Sequence, residues 1–454
     1  MASVTSNIRS LLSAFAKQQR CIPIQRDGRR QRCRIDTSSA MALIARSRSP
    51  SPNPPLNADA PTFDPRQQSL HGYRQIRDEI IEYPSHSGVT AGERFIVPGV
   101  ASSSVIFPHQ SFPFFVHSPS QDIVDNMVKQ AQSSFPYIAA IPDLSTEEED
   151  EDDYTPPKAL QATRGTLIKI RAYAPEFRDA CHMDGYAVAR VRIFKINNKS
   201  DEYLHYNINL SFIKEVMIEI LPEPIPSNYF RNIMPKYLAM HATNHPEDVE
   251  LWLRGLSKAD PLSYKSCDLL VAQRELRKML FNYYPTEKAM FVDSYNLADQ
   301  SFWFAHNFPF DNEWRKKLLD EDCPAYRLVM IHKAAKRFQA ISCRNCGNAL
   351  ADPLNETLVM STEGTSALYI NPGGYIHDLL FIKNTIRGGV KYTGIRHNTF
   401  SWFEGYMWQC LKCARCTDHV GWEFTSTVVN PPKFMAFTRD SVKSELNPQK
   451  NPEL

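Results

Sequence analysis

Five of the chain's ten cysteines crowd into its last quarter: Cys343, Cys346, Cys410, Cys413 and Cys416. Cys343-Arg-Asn-Cys346 and Cys413-Ala-Arg-Cys416 are two Cys-x-x-Cys pairs, each fit for a tight knuckle that turns two thiolates onto one ion. Two such knuckles make a closed tetrahedral site for a single zinc, with Zn–S bonds of about 2.3 Å. A closed four-thiolate site is structural, because no coordination position remains for water or substrate. The overlapping spacing Cys410-Leu-Lys-Cys413 offers a second pairing. We expect Cys413 and Cys416 to be the ligands and Cys410 to be a neighbouring free thiol. Two blander readings compete: unligated buried cysteines, and a redox dithiol, which needs only one pair. The other cysteines are scattered singly and no stretch reads as a secretory signal. Both features argue for a reducing compartment and for metal rather than disulfides.

Three of the six tryptophans stand close to the second knuckle. Ser401-Trp402-Phe403-Glu404-Gly405-Tyr406-Met407-Trp408 sets two indoles on either side of a Gly-bearing turn, and His419-Val420-Gly421-Trp422-Glu423-Phe424 brings the third. Core packing is the ordinary use of such residues. A buried indole also needs a partner for its N–H, however, and the flanking glycines suit close approach to the backbone. A flat apolar slot edged by main-chain polar groups is the alternative.

These motifs resemble the thalidomide-binding domain of the cereblon family. The resemblance rests on Asn371-Pro-Gly-Gly-Tyr375-Ile-His377, Ser401-Trp-Phe-x-Gly-Tyr-x-Trp408, Cys413-x-x-Cys416 and His419-Val-Gly-Trp422-x-Phe424, in order over about 100 residues. Upstream, Phe107-Pro-His-Gln-Ser-Phe-Pro-Phe114 and the strands after it are similar to the Lon N-terminal-like domain of the same family. The resemblance implies two small antiparallel sheets pinned at one zinc. It also implies a cage of Trp402, Trp408 and Trp422, with Phe424 at its floor and Asn371 in a loop over its mouth. A cyclic imide would enter edge-on and be held partly by the Phe400 C=O and the Trp402 N–H; its natural counterpart would be a cyclised Gln or Asn at a protein C-terminus. The family role it implies is substrate receptor of a cullin–RING ubiquitin ligase, tied to the damaged-DNA-binding adaptor and present in cytoplasm and nucleus. This chain departs from the vertebrate pattern where Phe400 and Gly373 each replace a His.

The elements that must position these residues follow from hydrophobic periodicity. Residues 1–67 are rich in Arg, Ser and Pro and read as a disordered basic tail, with an organelle transit sequence as the rival reading. Residues 93–340 are expected to form the Lon N-terminal-like domain. Within it, 106–116 should give a short strand, a turn and an edge strand, because proline is tolerated only there. Residues 121–132 have helical spacing, and 137–141, 165–174, 186–196 and 214–221 read as strands. The acidic run 147–153 reads as a solvated loop. Helices are expected over 268–284 and from Pro324 onward. The resemblance implies that 228–284 is the helical insertion that docks the adaptor. Residues 342–439 form the expected zinc domain, with strands at 367–375, 378–382 and 422–427, and 440–454 a tail. The fold class is therefore α+β: a mainly antiparallel Lon-like domain with a helical insertion, then a zinc-pinned two-sheet β domain.

Bulk properties narrow the functions further. At 454 residues and 43% hydrophobic content the chain suits two or three packed cores. A net charge of +2 excludes a strongly basic nucleic-acid binder by composition, and no apolar run is long enough for a membrane helix. We expect neither nucleic acid nor membrane as a partner, only the adaptor, substrate proteins and small cyclic imides. A methionine sulfoxide reductase on the same zinc fold is the rival, but it needs a nucleophilic cysteine after the second knuckle and none follows Cys416. RNA-end capping by the same fold wants a cleft lined by Lys and Arg. A Lon-type protease needs an ATP-binding Gly-x-x-x-x-Gly-Lys-Ser/Thr loop, which is missing from the sequence. A non-enzymatic receptor remains.

Overall fold

The computed structural model describes residues 60–70, 89–117, 121–142, 164–177, 180–197, 210–223, 261–280 and 296–447. The N-terminal part runs β1 (Arg94–Ser102), β2 (Ser111–His117), α1 (Gln121–Ala131), β3 (Tyr137–Pro142), β4 (Arg164–Phe177), β5 (Ala180–Asn197) and β6 (Leu210–Ile220). These strands form one six-stranded sheet in the order β2-β5-β4-β3-β1-β6, with β5 also pairing β6. Only β1 and β3 run parallel. Closure is possible because β5 is long: Ala180–Tyr186 pairs β2 and Val191–Asn197 pairs β6. Pro113 sits on β2, which has a single strand neighbour, as a residue without an N–H requires. The first half of the expected 106–116 pattern is not a strand. Its Phe107 N–H instead donates to the Gln110 side chain at 2.6 Å.

Arg190 of β5 is buried, although Phe194 farther along the same side of the strand is exposed. The Arg190 guanidinium reaches Glu223 and the Leu319 and Glu321 carbonyls, so helices cover the strand at this point. Those helices are α2 (Pro261–Leu280), α3 (Leu297–Asn307), α4 (Asn312–Asp320) and α5 (Pro324–Ala335). Asn296 and Asp311 cap α3 and α4 by accepting from the Asp299 and Trp314 N–H groups, and Pro324 opens α5 where its missing N–H costs nothing. Leu276, Phe302, Phe304, Leu318, Leu328 and Ile331 form their shared core. Helix α2 starts earlier than the expected 268. The rest of the expected 228–284 insertion, the acidic run 147–153 and residues 1–59 lie outside the described residues.

The C-terminal part runs β7 (Phe338–Cys343), β8 (Ala349–Ala351), β9 (Ser366–Ile370), β10 (Ile376–Ile382), β11 (Val390–His397), β12 (Met407–Cys413), β13 (His419–Thr425), β14 (Lys433–Thr438) and β15 (Val442–Leu446). One antiparallel sheet has the order β11-β12-β13-β14-β10-β9 and a second has β15-β7-β8. Two boundaries differ from the sequence reading. That reading makes 440–454 a tail, but β15 pairs along β7 from Val442↔Cys343 to Leu446↔Phe338. It also ends the basic tail at 67, but 60–70 is laid against the C-terminal part. Phe63 is buried among its aromatics, and the Ser69 N–H donates to the Trp402 carbonyl at 2.8 Å. Composition misses both segments because a few apolar residues inside a polar stretch are enough once a partner strand supplies the hydrogen bonds.

The two parts are joined by polar contacts as well as packing. Asp378 of β10 receives Arg315 of α4 and Arg439, all three buried. Asn307 holds Thr365, and Ser103 and Asn312 both hold Asp440.

Candidate metal centre and aromatic cage

Both knuckles begin where a strand ends. Cys343 closes β7 and Cys413 closes β12, and each turns through the same hydrogen bond: Gly347 N–H to the Cys343 carbonyl, Thr417 N–H to the Cys413 carbonyl. The residue after each second cysteine is left-handed, Gly347 at φ 70° and Thr417 at φ 65°. The four sulfur atoms of Cys343, Cys346, Cys413 and Cys416 all lie within 4.8 Å of one another. The Cys343–Cys416 and Cys346–Cys413 separations are 3.5 Å. Tetrahedral Zn–S bonds of about 2.3 Å imply S–S edges of about 3.8 Å, so this donor set fits one metal ion. The Asn348 side-chain amide lies 3.6 Å from the Cys413 sulfur, a supporting contact outside the ligand set.

Strand alternation decides the Cys410 ambiguity. Leu411 and Cys413 point into the core beside Val420, Met435 and Phe437, and Cys410 must point to the other face. There it lies directly across from Trp422, and burial pushes its thiol up to about 11.

That other face carries the tryptophans. In register, Trp408 opposes Phe424 and Cys410 opposes Trp422, so all four side chains share one side of the sheet and Trp408 is diagonal to Trp422. Ala436 opposes Trp422 on β14 and leaves room beside it. Gly421 allows β13 to lie close to β14 at this point. A Cβ there would sit 2.0 Å from the Ala436 carbonyl oxygen. The loop between β11 and β12 then brings Trp402 over the same face. Trp402 and Trp422 meet at right angles, 5.3 Å apart and 87° between planes. Phe424, 1% exposed, lies beneath Trp402 at 6.4 Å.

The three indoles differ in role. Trp402 is 6% exposed and its Nε1–H donates to the Ile370 carbonyl at 2.8 Å. Trp408 is half-buried, donates Nε1–H to the Thr399 carbonyl at 2.8 Å and stacks near His397. Trp422 lies beside Cys410, its cross-strand partner. The indole N–H groups of Trp402 and Trp408 are therefore satisfied internally. Among the described residues no acceptor takes the Trp402 main-chain N–H. Phe400 stands near it, 46% exposed and at φ 59°, an unusual backbone for a bulky residue. Asn371 shapes the loop from β9 to β10, its Oδ1 accepting from the Gly373 and Tyr375 N–H groups at 2.9 Å.

Two cage-side residues escape the sequence reading. His377 lies 4.9 Å from Trp422 and 5.6 Å from Trp402, and burial pushes its pKa down to about 3. His419 lies 4.7 Å from Trp422 and burial holds it near 4. Both are neutral imidazoles at physiological pH. Their presence inside the quoted motifs is the available signal.

A family model described as the ATP-dependent protease La (LON) substrate-binding domain matches residues 97–337, more than half of the chain. The chain belongs to that family. Among curated relatives, Protein cereblon of Danio rerio is 23% identical over 366 residues, covering 76% of this chain and 79% of that protein. Protein cereblon of Gallus gallus is 22% identical, with 77% and 78% covered. Protein cereblon of Drosophila pseudoobscura pseudoobscura is 33% identical, but over 32% of this chain and 23% of that protein. The resemblance to the cereblon family is thereby borne out. The solved N-terminal domain of Mycobacterium avium complex Lon protease is 13% identical over 53% of this chain and 97% of that one, at a TM-score of 0.30, too loose a likeness to argue from.

Proposed function

We propose that this chain is a non-catalytic substrate receptor of a cullin–RING ubiquitin ligase, and that its cage holds the cyclic imide of a protein degron. The observation that carries the reading is the corner of Trp402 and Trp422. The Trp402 indole N–H is taken by the Ile370 carbonyl, while the neighbouring Trp402 main-chain N–H has no acceptor among the described residues. A cyclic imide has apolar ring edges and one polar C=O/N–H/C=O edge. Indole faces enclose the former, and the Trp402 N–H and Phe400 C=O suit the latter. The four-cysteine site would hold one structural zinc that fixes β12 against β7 and so sets the cage walls. Four thiolates supply no open position for catalysis.

The adaptor would dock on residues 228–284, and the protein would act in cytoplasm and nucleus. The reductase alternative is disfavoured by the cage-side thiol: Cys410 is held protonated and half-buried. Titration of the full chain with glutarimide and with succinimide, followed by calorimetry and tryptophan fluorescence, tests the reading. Saturable quenching is expected. No response at millimolar ligand would defeat it, with Phe400 the first residue to suspect.

A further inference from the structure

The cage face continues beyond Cys410. On β12 the next residue on that side is Lys412, and on the sheet-edge strand β11 its direct partner is Lys391. Two like charges directly opposite each other destabilise a sheet, so the pair calls for a reason. No carboxylate lies within ion-pair distance of either ammonium among the described residues, and Lys391 is exposed. On the other side Lys412 opposes His419, whose imidazole it helps keep neutral. The acid nearest along these strands faces away: Glu423 is buried on the opposite side of the sheet, taken up by Tyr392 and Arg396. One face of β11 and β12 thus runs from the apolar wall at Trp408 to an uncompensated pair of ammonium groups. β11 is also the sheet's edge, with β12 alone beside it among the described residues.

From this geometry we infer that Lys391 and Lys412 form a second subsite, which takes an acidic side chain of the degron a few residues before its C-terminal imide. The inference rests on the imide-cage reading and narrows it to a substrate class. Trp408 and Lys412 are four residues apart on one strand, roughly 13 Å at ~3.3 Å per residue. An extended peptide anchored in the cage advances about 3.4 Å per residue, so the side chains about three to five positions upstream pass over the lysine pair. Charge complementarity selects Asp or Glu there. The open edge of β11 gives such a segment main-chain groups to lie along.

The test uses the full chain and three probes: the amine-capped glutarimide alone, an extended peptide ending in the same imide with Asp about three to five positions upstream, and its twin with Lys there. At low salt the acidic peptide should bind about fivefold tighter than the basic one, the scale of two partly exposed ion pairs, and the gap should shrink as salt rises. In the K391E/K412E chain the preference should reverse. Because the ratio is read within one protein, partial loss of folding cannot imitate a reversal. Equal binding of the two peptides, or an unchanged ratio in the variant, overturns the subsite while leaving the cage intact. Failure of the capped glutarimide to bind removes the cage reading and this one together.

Discussion

At the residue scale, the metal assignment and the cage each separate neighbouring residues that the sequence places side by side. Cys410→Ser should keep one zinc per chain by elemental analysis, because its sulfur is on the opposite face of β12 from Cys413. Cys413→Ser should lose the metal and with it the folded domain, since structural zinc contributes roughly 10–16 kcal/mol of apparent binding energy. Metal loss in the Cys410→Ser protein would refute the ligand set. The tryptophans divide similarly. Trp408→Ala removes a half-exposed wall and should abolish imide quenching in a protein that still unfolds cooperatively. Trp402→Ala removes a buried ring bonded to Ile370 and should cost about 3–5 kcal/mol of stability. Equal destabilisation by both changes would mean that all three rings are simply core. The four-cysteine cluster and the grouping of the three indoles are legible in the sequence because spacing and residue type place them. The Cys410 choice is settled by which face of a strand each sulfur occupies. His377 and His419 stayed unread, because a histidine's neutrality depends on burial.

Elements were legible where a periodic pattern met a regular partner, and illegible where pairing alone makes the strand. β5 and α5 announce themselves by alternation and by Pro324. β11 does not: its Lys391, Tyr392 and Ile395 are exposed, and it exists because β12 offers it hydrogen bonds. β15 and the segment 60–70 follow the same logic. The two knuckles show the cost of a local mismatch. Gly347 adopts φ 70° freely, whereas Thr417 holds φ 65° with a branched side chain. Thr417→Gly should therefore stabilise the metal-loaded chain by about 1 kcal/mol, read as a higher unfolding midpoint, with zinc content unchanged. A lower midpoint would show that the Thr417 side chain makes a contact worth more than the strain. For the helical insertion, a chain ending before Cys343 should still retain the adaptor in a pull-down. Retention by the zinc domain alone would contradict the proposed docking on 228–284.

At the scale of the whole molecule, the seam between the N-terminal and C-terminal parts carries buried carboxylates with unpartnered oxygens. Glu363 lies in the turn before β9; its Oε1 accepts from the Ser111 N–H of β2 at 2.8 Å, while its Oε2 has no hydrogen-bond partner. Asp184 of β5 has an unpartnered Oδ1, and its charge adds to the proton affinity of Glu363. Burial comes first in both cases, pushing Glu363 up to about 7 and Asp184 up to about 6, and Arg171 offsets part of it. His306 is 3.8 Å from Glu363 but is itself held neutral by burial and by Arg315, so it supplies no countercharge. Glu363 is protonated in both folded and unfolded chains below about pH 4.5. Between there and about pH 7 only the unfolded chain ionises freely, so the seam loses stability as pH rises. Glu363→Gln keeps an acceptor for Ser111 and removes the charge. The variant should match the parent near pH 4.5 and exceed it at about pH 8, above the raised value of the folded chain. A margin of roughly 2 kcal/mol is expected, because 12% of the side chain still meets solvent. Chemical denaturation of both full-length proteins across this range decides it. A margin that is constant with pH, or that favours the parent at the alkaline end, would place the ionised carboxylate in a stabilising pair and overturn this account of the seam.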